Sequence, residues 1–104
     1  MIELLKNLFG VKEKVNPKEL INNGATILDV RTKAEYQNGH IKGSINIPLD
    51  KLESNISKIN KGKPIITCCA SGMRSASAKN ILKTHGFTEV HNGGGWIHLK
   101  HKIQ

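Results

Sequence analysis

Hydrophobic positions along this chain change period repeatedly, and each change marks an element. Ile2, Leu4, Leu5, Leu8 and Phe9 follow helical spacing up to Gly10, and Val11–Val15 is short enough for a strand. Asn16-Pro17-x-Glu19 is a helix start, with an N-cap, proline at the first position and an acid at the third. Leu20 and Ile21 would face inward, and Gly24 would end that helix. Ala25–Val30 is apolar without alternation, as expected of a strand covered on both faces. Thr32-x-x-Glu35 is a capping box for a helix ending near Asn38-Gly39. Ser44–Ile47 reads as a short strand closed by Pro48, and Leu49–Ile59 as one helix or two short ones. Pro64–Cys68 is a β-branched strand, and Ser75–Lys83 opens a helix that Gly86 stops. Phe87–Val90 is read as the last strand. Gly93–Gly95 is read as a close backbone approach, and Trp96 as the start of a final helix carrying Leu99 and Ile103. Strands alternating with helices predict an α/β domain with a parallel sheet.

Composition narrows this further. A length of 104 residues suits one domain. No apolar run reaches the 18 or so residues that a membrane span needs, and Glu3 and Lys6 interrupt the N-terminal pattern where a secretory signal would be continuous. Two adjacent cysteines, rather than several spaced ones, fit a cytoplasmic protein. The net charge of +8 is uneven. Residues 1–54 hold eight Lys/Arg against seven Asp/Glu, whereas residues 55–104 hold eight against Glu89 alone. Such a field concentrates anionic substrates or an acidic partner protein. Only two arginines and few aromatics argue against nucleic acid as the target.

The candidate chemistry lies between the strand at Pro64–Cys68 and the helix from Ser75. A loop entering a helix N-terminus points backbone N–H groups outward, and the helix dipole adds about half a positive charge. A thiol held there is biased toward thiolate. A lone cysteine after a strand is commonly a small buried hydrophobe. Here Gly72 lets the amides turn inward, Arg74 puts a cation at the far lip, and Ala70, Ser71 and Ser75 leave room for a ligand. Asp29 and Arg31 come to the same region at the end of their strand, as pocket residues or as a structural ion pair. His40 is read as structural. His98 and His101 are three apart on a helix, but no nearby Cys or carboxylate completes a metal site, so none is expected.

Cys69-x-x-Gly72-x-Arg74-Ser75, preceded by Ile27–Arg31, Glu35-Tyr36 and Gly39-His40-Ile41-x-Gly43-Ser44 and followed by Gly93-Gly94-Gly95-Trp96, resembles the single-domain rhodaneses, the thiosulfate sulfurtransferase-like proteins. The resemblance runs from about residue 15 to 101 and implies a rhodanese-like fold. Its central parallel sheet would have about five strands, with helices on both faces. Residues 13–104 would form that domain, and residues 1–12 a short N-terminal helix or extension. It implies Cys69 as the catalytic nucleophile, forming a persulfide with sulfur from a small anionic donor such as thiosulfate. An acceptor thiol, or cyanide, would then take that sulfur. The donor-binding residues would be Ala70, Ser71, Gly72, Met73, Arg74, Ser75 and Arg31, and Trp96 a rim or core residue. No metal or organic cofactor is implied, no nucleic acid or membrane partner is expected, and a monomer is expected.

Two readings compete with this. Cys68 to Arg74 has the Cys-x5-Arg spacing of cysteine-dependent phosphatases and arsenate reductases, and its wider loop would seat a tetrahedral oxyanion. Counting from Cys69 puts Gly72 at the rhodanese position, and Cys68 continues the Ile65-Ile66-Thr67 strand toward the core. Thr67 also stands where the phosphatase pattern has histidine. Cys68 is therefore read as buried. As a resolving thiol it would need a strained disulfide between adjacent residues. The other alternative is a non-enzymatic sulfur-carrier or docking module on the same fold.

Overall fold

The computed structural model describes residues 16–104. The elements run α1 (Pro17–Asn22), β1 (Thr26–Asp29), α2 (Lys33–Gln37), β2 (Ile45–Asn46), β3 (Ile65–Cys69), α3 (Met73–Thr84), β4 (Val90–Gly95) and α4 (Trp96–Ile103). Two 3-10 turns, Leu49–Lys51 and Glu53–Lys58, join β2 to β3. Both expected helix starts are present. The Asn16 side chain accepts from the Lys18 and Glu19 N–H groups, and Thr32 and Glu35 form a reciprocal capping box.

The sheet is wholly parallel, in the order β2-β1-β3-β4. Four strands are present among the described residues, against about five expected. The expected strand at Val11–Val15 and the helix at Ile2–Phe9 lie outside those residues. The chain steps from β1 out to β2, then returns to place β3 on the other side of β1. The carboxyl ends of β1 and β3, paired at Asp29 and Cys68, thus flank the switch point where open α/β sheets collect ligands.

Strand alternation sorts the core into two layers. Leu28, Val30, Ile65 and Cys69 pack with Ala78 and Leu82 of α3 and with Leu52 and Ile59 around the 3-10 turns. Ile27, Ile66 and Cys68 pack on the other face with Leu99 of α4, against the half-buried Leu20, Ile21 and Trp96. Helices therefore cover both faces.

Three boundaries differ from expectation. The segment Leu49–Ile59 is two 3-10 turns rather than α-helix. The helix α3 begins at Met73 rather than Ser75, which shortens the loop after Cys69 to three residues. The last strand is not Phe87–Val90 but Val90–Gly95, so the glycine run itself is sheet. Glycine has low strand propensity, but close packing requires it here. A Cβ on Gly93 would lie 2.8 Å from Ile66 Cγ2, 2.8 Å from the Thr67 carbonyl oxygen and 3.0 Å from Leu99 Cδ2.

Candidate active site

Cys69 is the last residue of β3 and is 1% exposed. The chain turns at once into α3 through Ala70, Ser71 and Gly72. Gly72 is the N-cap, with φ of +109°, and α3 has no side-chain cap. The Cys69 sulfur fills that role: Sγ accepts from the Gly72 N–H at 2.9 Å and from the Ser75 N–H at 3.4 Å. It also lies 3.5 Å from Ser75 Oγ. Burial pushes the thiol up. The Ser75 hydroxyl and the N–H groups of Ser75, Gly72 and Ser71 outweigh that, and the net direction is down. Its neighbour is the opposite case. Cys68 is fully buried on the other face, and burial, with the Asp29 charge behind it, pushes its thiol up to about 12.

The loop residues expected at the site surround the sulfur unequally. Ala70 and Ser71 are exposed, Met73 is 81% exposed, and Ser75 is wholly buried. Arg74 reaches the lip already paired. Its Nη1 and Nη2 donate to the two carboxylate oxygens of Glu35 at 2.7 and 3.0 Å. The Arg74 guanidinium, with the Thr32 N–H, holds the Glu35 carboxyl down at about 2. Glu35, read from sequence as a capping residue, thus also fastens α2 to the loop.

Arg31, expected among the donor-binding residues, is 3% exposed, and each guanidinium nitrogen is engaged within the fold. It pairs with Asp29 at 2.7 Å, donates to the carbonyls of Glu35 and Gly39, and lies 4.5 Å from the centre of the Trp96 ring. The ion-pair reading of Asp29 matches this geometry, and Trp96 is the lid of that pair. His40 is exposed, stacked on Tyr36 at 3.8 Å, with Nδ1 2.8 Å from the Tyr36 carbonyl oxygen. Among the described residues no three His, Cys, Asp or Glu side chains gather as a metal site would require.

One residue at the site went unread in the sequence. Asn92 accepts at Oδ1 from Ser75 Oγ at 2.6 Å and from the Gly94 N–H at 2.9 Å, and donates through Nδ2 to the Gly72 carbonyl at 3.3 Å. The signal was an asparagine preceding glycines, a pattern whose side chain bonds to backbone two residues on.

This cradle, a cysteine at a strand end seated in the amides of the next helix, lies within the stretch that a family model matches. Residues 16–96 match the model of the rhodanese-like domain. The chain belongs to the rhodanese family. Among rhodanese relatives it is 39% identical over 70 residues to the thiosulfate sulfurtransferase PspE of Escherichia coli (strain K12), covering 65% of this chain and 67% of that one. It is 38% identical over 86 residues to the putative sulfur carrier protein YrkF of Bacillus subtilis (strain 168). That match covers 83% of this chain but only 44% of YrkF's length. A solved rhodanese with anions from E. coli superposes with a TM-score of 0.68 at 35% identity, over 72% of this chain and 91% of that one. Among the described residues of this rhodanese-family chain, no helix is long and apolar enough to cross a membrane.

Proposed function

We propose that this protein is a sulfurtransferase that carries sulfane sulfur as a persulfide on Cys69. The observation that carries the reading is the sulfur's position, with Sγ taking the Gly72 and Ser75 N–H groups at the N-terminus of a twelve-residue helix. In the first step the Cys69 thiolate attacks the outer sulfur of thiosulfate. The S–S bond of the donor breaks, sulfite leaves with its electron pair, and Cys69 holds a persulfide anion. In the second step an acceptor thiolate, or cyanide, takes the terminal sulfur and returns the Cys69 thiolate. Charge and sulfur balance in both steps, and no cofactor is consumed. The amides hold the sulfur anion without any reorganisation. Arg74, fixed at the lip by Glu35, draws the oxyanion end of the donor. Arg31 acts at one remove, tying Asp29 to the α2 segment that carries Glu35. Two free buried cysteines among the described residues fit a reducing compartment such as the cytosol.

The oxyanion-ester alternative would need Cys68 as nucleophile. That sulfur belongs to the opposite core layer and is held in its protonated form, which favours the sulfur reading. The test is mass spectrometry of the reduced protein mixed with thiosulfate and then cyanide, for wild type, Cys69→Ser and Cys68→Ser, with an aryl phosphate in parallel. Gain of one sulfur that cyanide removes, absent only in Cys69→Ser, is expected. Phosphate release that depends on Cys68 would overturn the assignment. Sulfur gain only from a persulfidated protein donor, and none from thiosulfate, would make the chain a carrier of the kind YrkF is named for.

A further inference from the structure

The Ser75 hydroxyl has one proton and three acceptors within reach. Asn92 Oδ1 lies at 2.6 Å, the Gly72 carbonyl at 3.0 Å and Cys69 Sγ at 3.5 Å. The orientation of the Asn92 amide is settled by backbone. The Gly94 N–H can face only its oxygen, and the Gly72 carbonyl only its nitrogen. Ser75 therefore meets an atom that can accept but not donate. A contact of 2.6 Å between two oxygens, one of them acceptor-only, requires the hydroxyl proton to lie between them. The lone pairs of Oγ are then left for the sulfur. In this state Oγ accepts from a neutral S–H, and it can stabilise a thiolate only by turning its proton away from Asn92. When Sγ ionises, the proton must swing to it and give up the shortest hydrogen bond of the site.

We propose that Asn92 is a positioning residue of the Cys69 site: by holding the Ser75 proton it withholds that proton from the sulfur and sets how readily the thiolate forms. The inference deepens the proposed function and rests on Cys69 being the nucleophile. It runs against the ordinary expectation for a supporting residue. Loss of a merely structural prop would loosen the cradle and make the thiolate harder to form. Loss of Asn92 frees the Ser75 hydroxyl to turn to the sulfur and makes it easier.

On the elements packed around Cys69, Arg74 is paired with Glu35, Arg31 with Asp29, and His91 of β4 with Glu89. Lys79 and Lys83 lie farther along α3, and Cys68 is the titratable neighbour within β3. None of the three pairs includes Asn92 or the Ser75 hydroxyl, so substitutions at those two positions leave the pairs in place.

The experiment is the rate of Cys69 alkylation by iodoacetamide against pH, with the modified residue identified by peptide mapping. The proteins compared are wild type, Asn92→Ala, Asn92→Asp, Ser75→Ala and the double variant Ser75→Ala/Asn92→Ala. Asn92→Ala is expected to lower the titration midpoint by roughly one to two pH units, the weight of one hydrogen bond to a charged group. Asn92→Asp, a stronger acceptor that still serves the Gly94 N–H, is expected to raise it. On the Ser75→Ala background, Asn92→Ala is expected to move nothing. A rise or no change in Asn92→Ala, or an equal shift without the Ser75 hydroxyl, would overturn the proposal. Alkylation does not involve sulfur transfer. Failure to gain sulfur from both thiosulfate and a persulfidated protein donor, with the midpoints ordered as stated, would therefore sink the proposed function and leave this inference standing.

Discussion

Neutralising Glu35 tests whether the loop is fastened by charge. Glu35→Gln keeps the capping box, because glutamine serves at that position, but removes the charge that Arg74 pairs with. The Glu35 carboxyl is held at about 2 against its ordinary 4.5, first by Arg74 and then by the Thr32 N–H. Taken at face value that displacement corresponds to roughly 3 kcal/mol. The Glu35 side chain is 37% exposed, however, and Arg74 34%. Solvent screening at such exposure reduces the contribution to about 1 kcal/mol. The sign follows from the direction of the shift. A carboxyl depressed in the folded state gives stability that is fully present above its ordinary 4.5 and is lost as pH falls toward 2. Urea denaturation of wild type and Glu35→Gln from pH 7 to pH 2 isolates this group, since the other carboxyls titrate alike in both. Urea rather than guanidinium keeps the pair unscreened. The variant should be less stable by about 1 kcal/mol at pH 7, with the difference closing across the acid window. A difference that stays constant down to pH 2 would show that charge does not hold the loop.

Other substitutions test close contacts and the two thiols. Gly93→Ala should cost about 2 kcal/mol in urea, as overpacking against the Ile66 side chain and the Thr67 carbonyl; an unchanged midpoint would mean that the glycine run is not held by packing. Gly72→Ala, at φ of +109°, should cost about 1–2 kcal/mol in backbone strain. It should also slow persulfide formation several-fold, because relief of that strain would shift the residue-72 N–H from its place 2.9 Å from Sγ; a full rate would show that the turn holds without glycine. Iodoacetamide at pH 7 should modify Cys69 alone in the folded protein and both thiols in urea, since the Cys68 thiol is held at about 12 whereas the helix-start amides bring the Cys69 thiol down. Native labelling of Cys68 would contradict the two-layer core.

The parts of this fold visible in the sequence are those set by neighbours along the chain. Asn16 and Glu19, or Thr32 and Glu35, are three residues apart, and their side chains need only the local turn to meet. The strand β3 was legible because Ile65, Ile66 and Thr67 suit a strand buried on both faces. The strand β4 was not, because nothing in Asn92-Gly93-Gly94 favours strand locally. Its pairing is imposed by Ile66, Thr67 and Leu99, which come from other elements. The site divides the same way. Cys69, Gly72 and Ser75 lie within seven residues and could be read together. The Arg74–Glu35 pair spans 39 residues and the Ser75–Asn92 bond 17. The engagement of Arg31 within the fold was hidden for a related reason. An arginine at a strand end is equally suited to a ligand or to an acid two residues before it, and only the position of Trp96 and of the Gly39 carbonyl turns it inward.

The choice between two adjacent cysteines shows how little sequence separates the available chemistries. In a strand, successive side chains face opposite ways, so a shift of one residue exchanges the two layers of the core. Cys68 packs with Ile27, Ile66 and Leu99, where burial and the Asp29 charge both oppose a thiolate. Cys69 faces α3, whose start carries no side-chain cap, and its pairing with Gly95 lies beyond an irregularity in the β3–β4 register. A capping side chain at Gly72 would compete for those amides. Glycine leaves them to the sulfur and also supplies the left-handed turn that aims its own N–H inward. The nucleophile is thus specified by the parity of the strand and by a helix start that lacks a cap of its own.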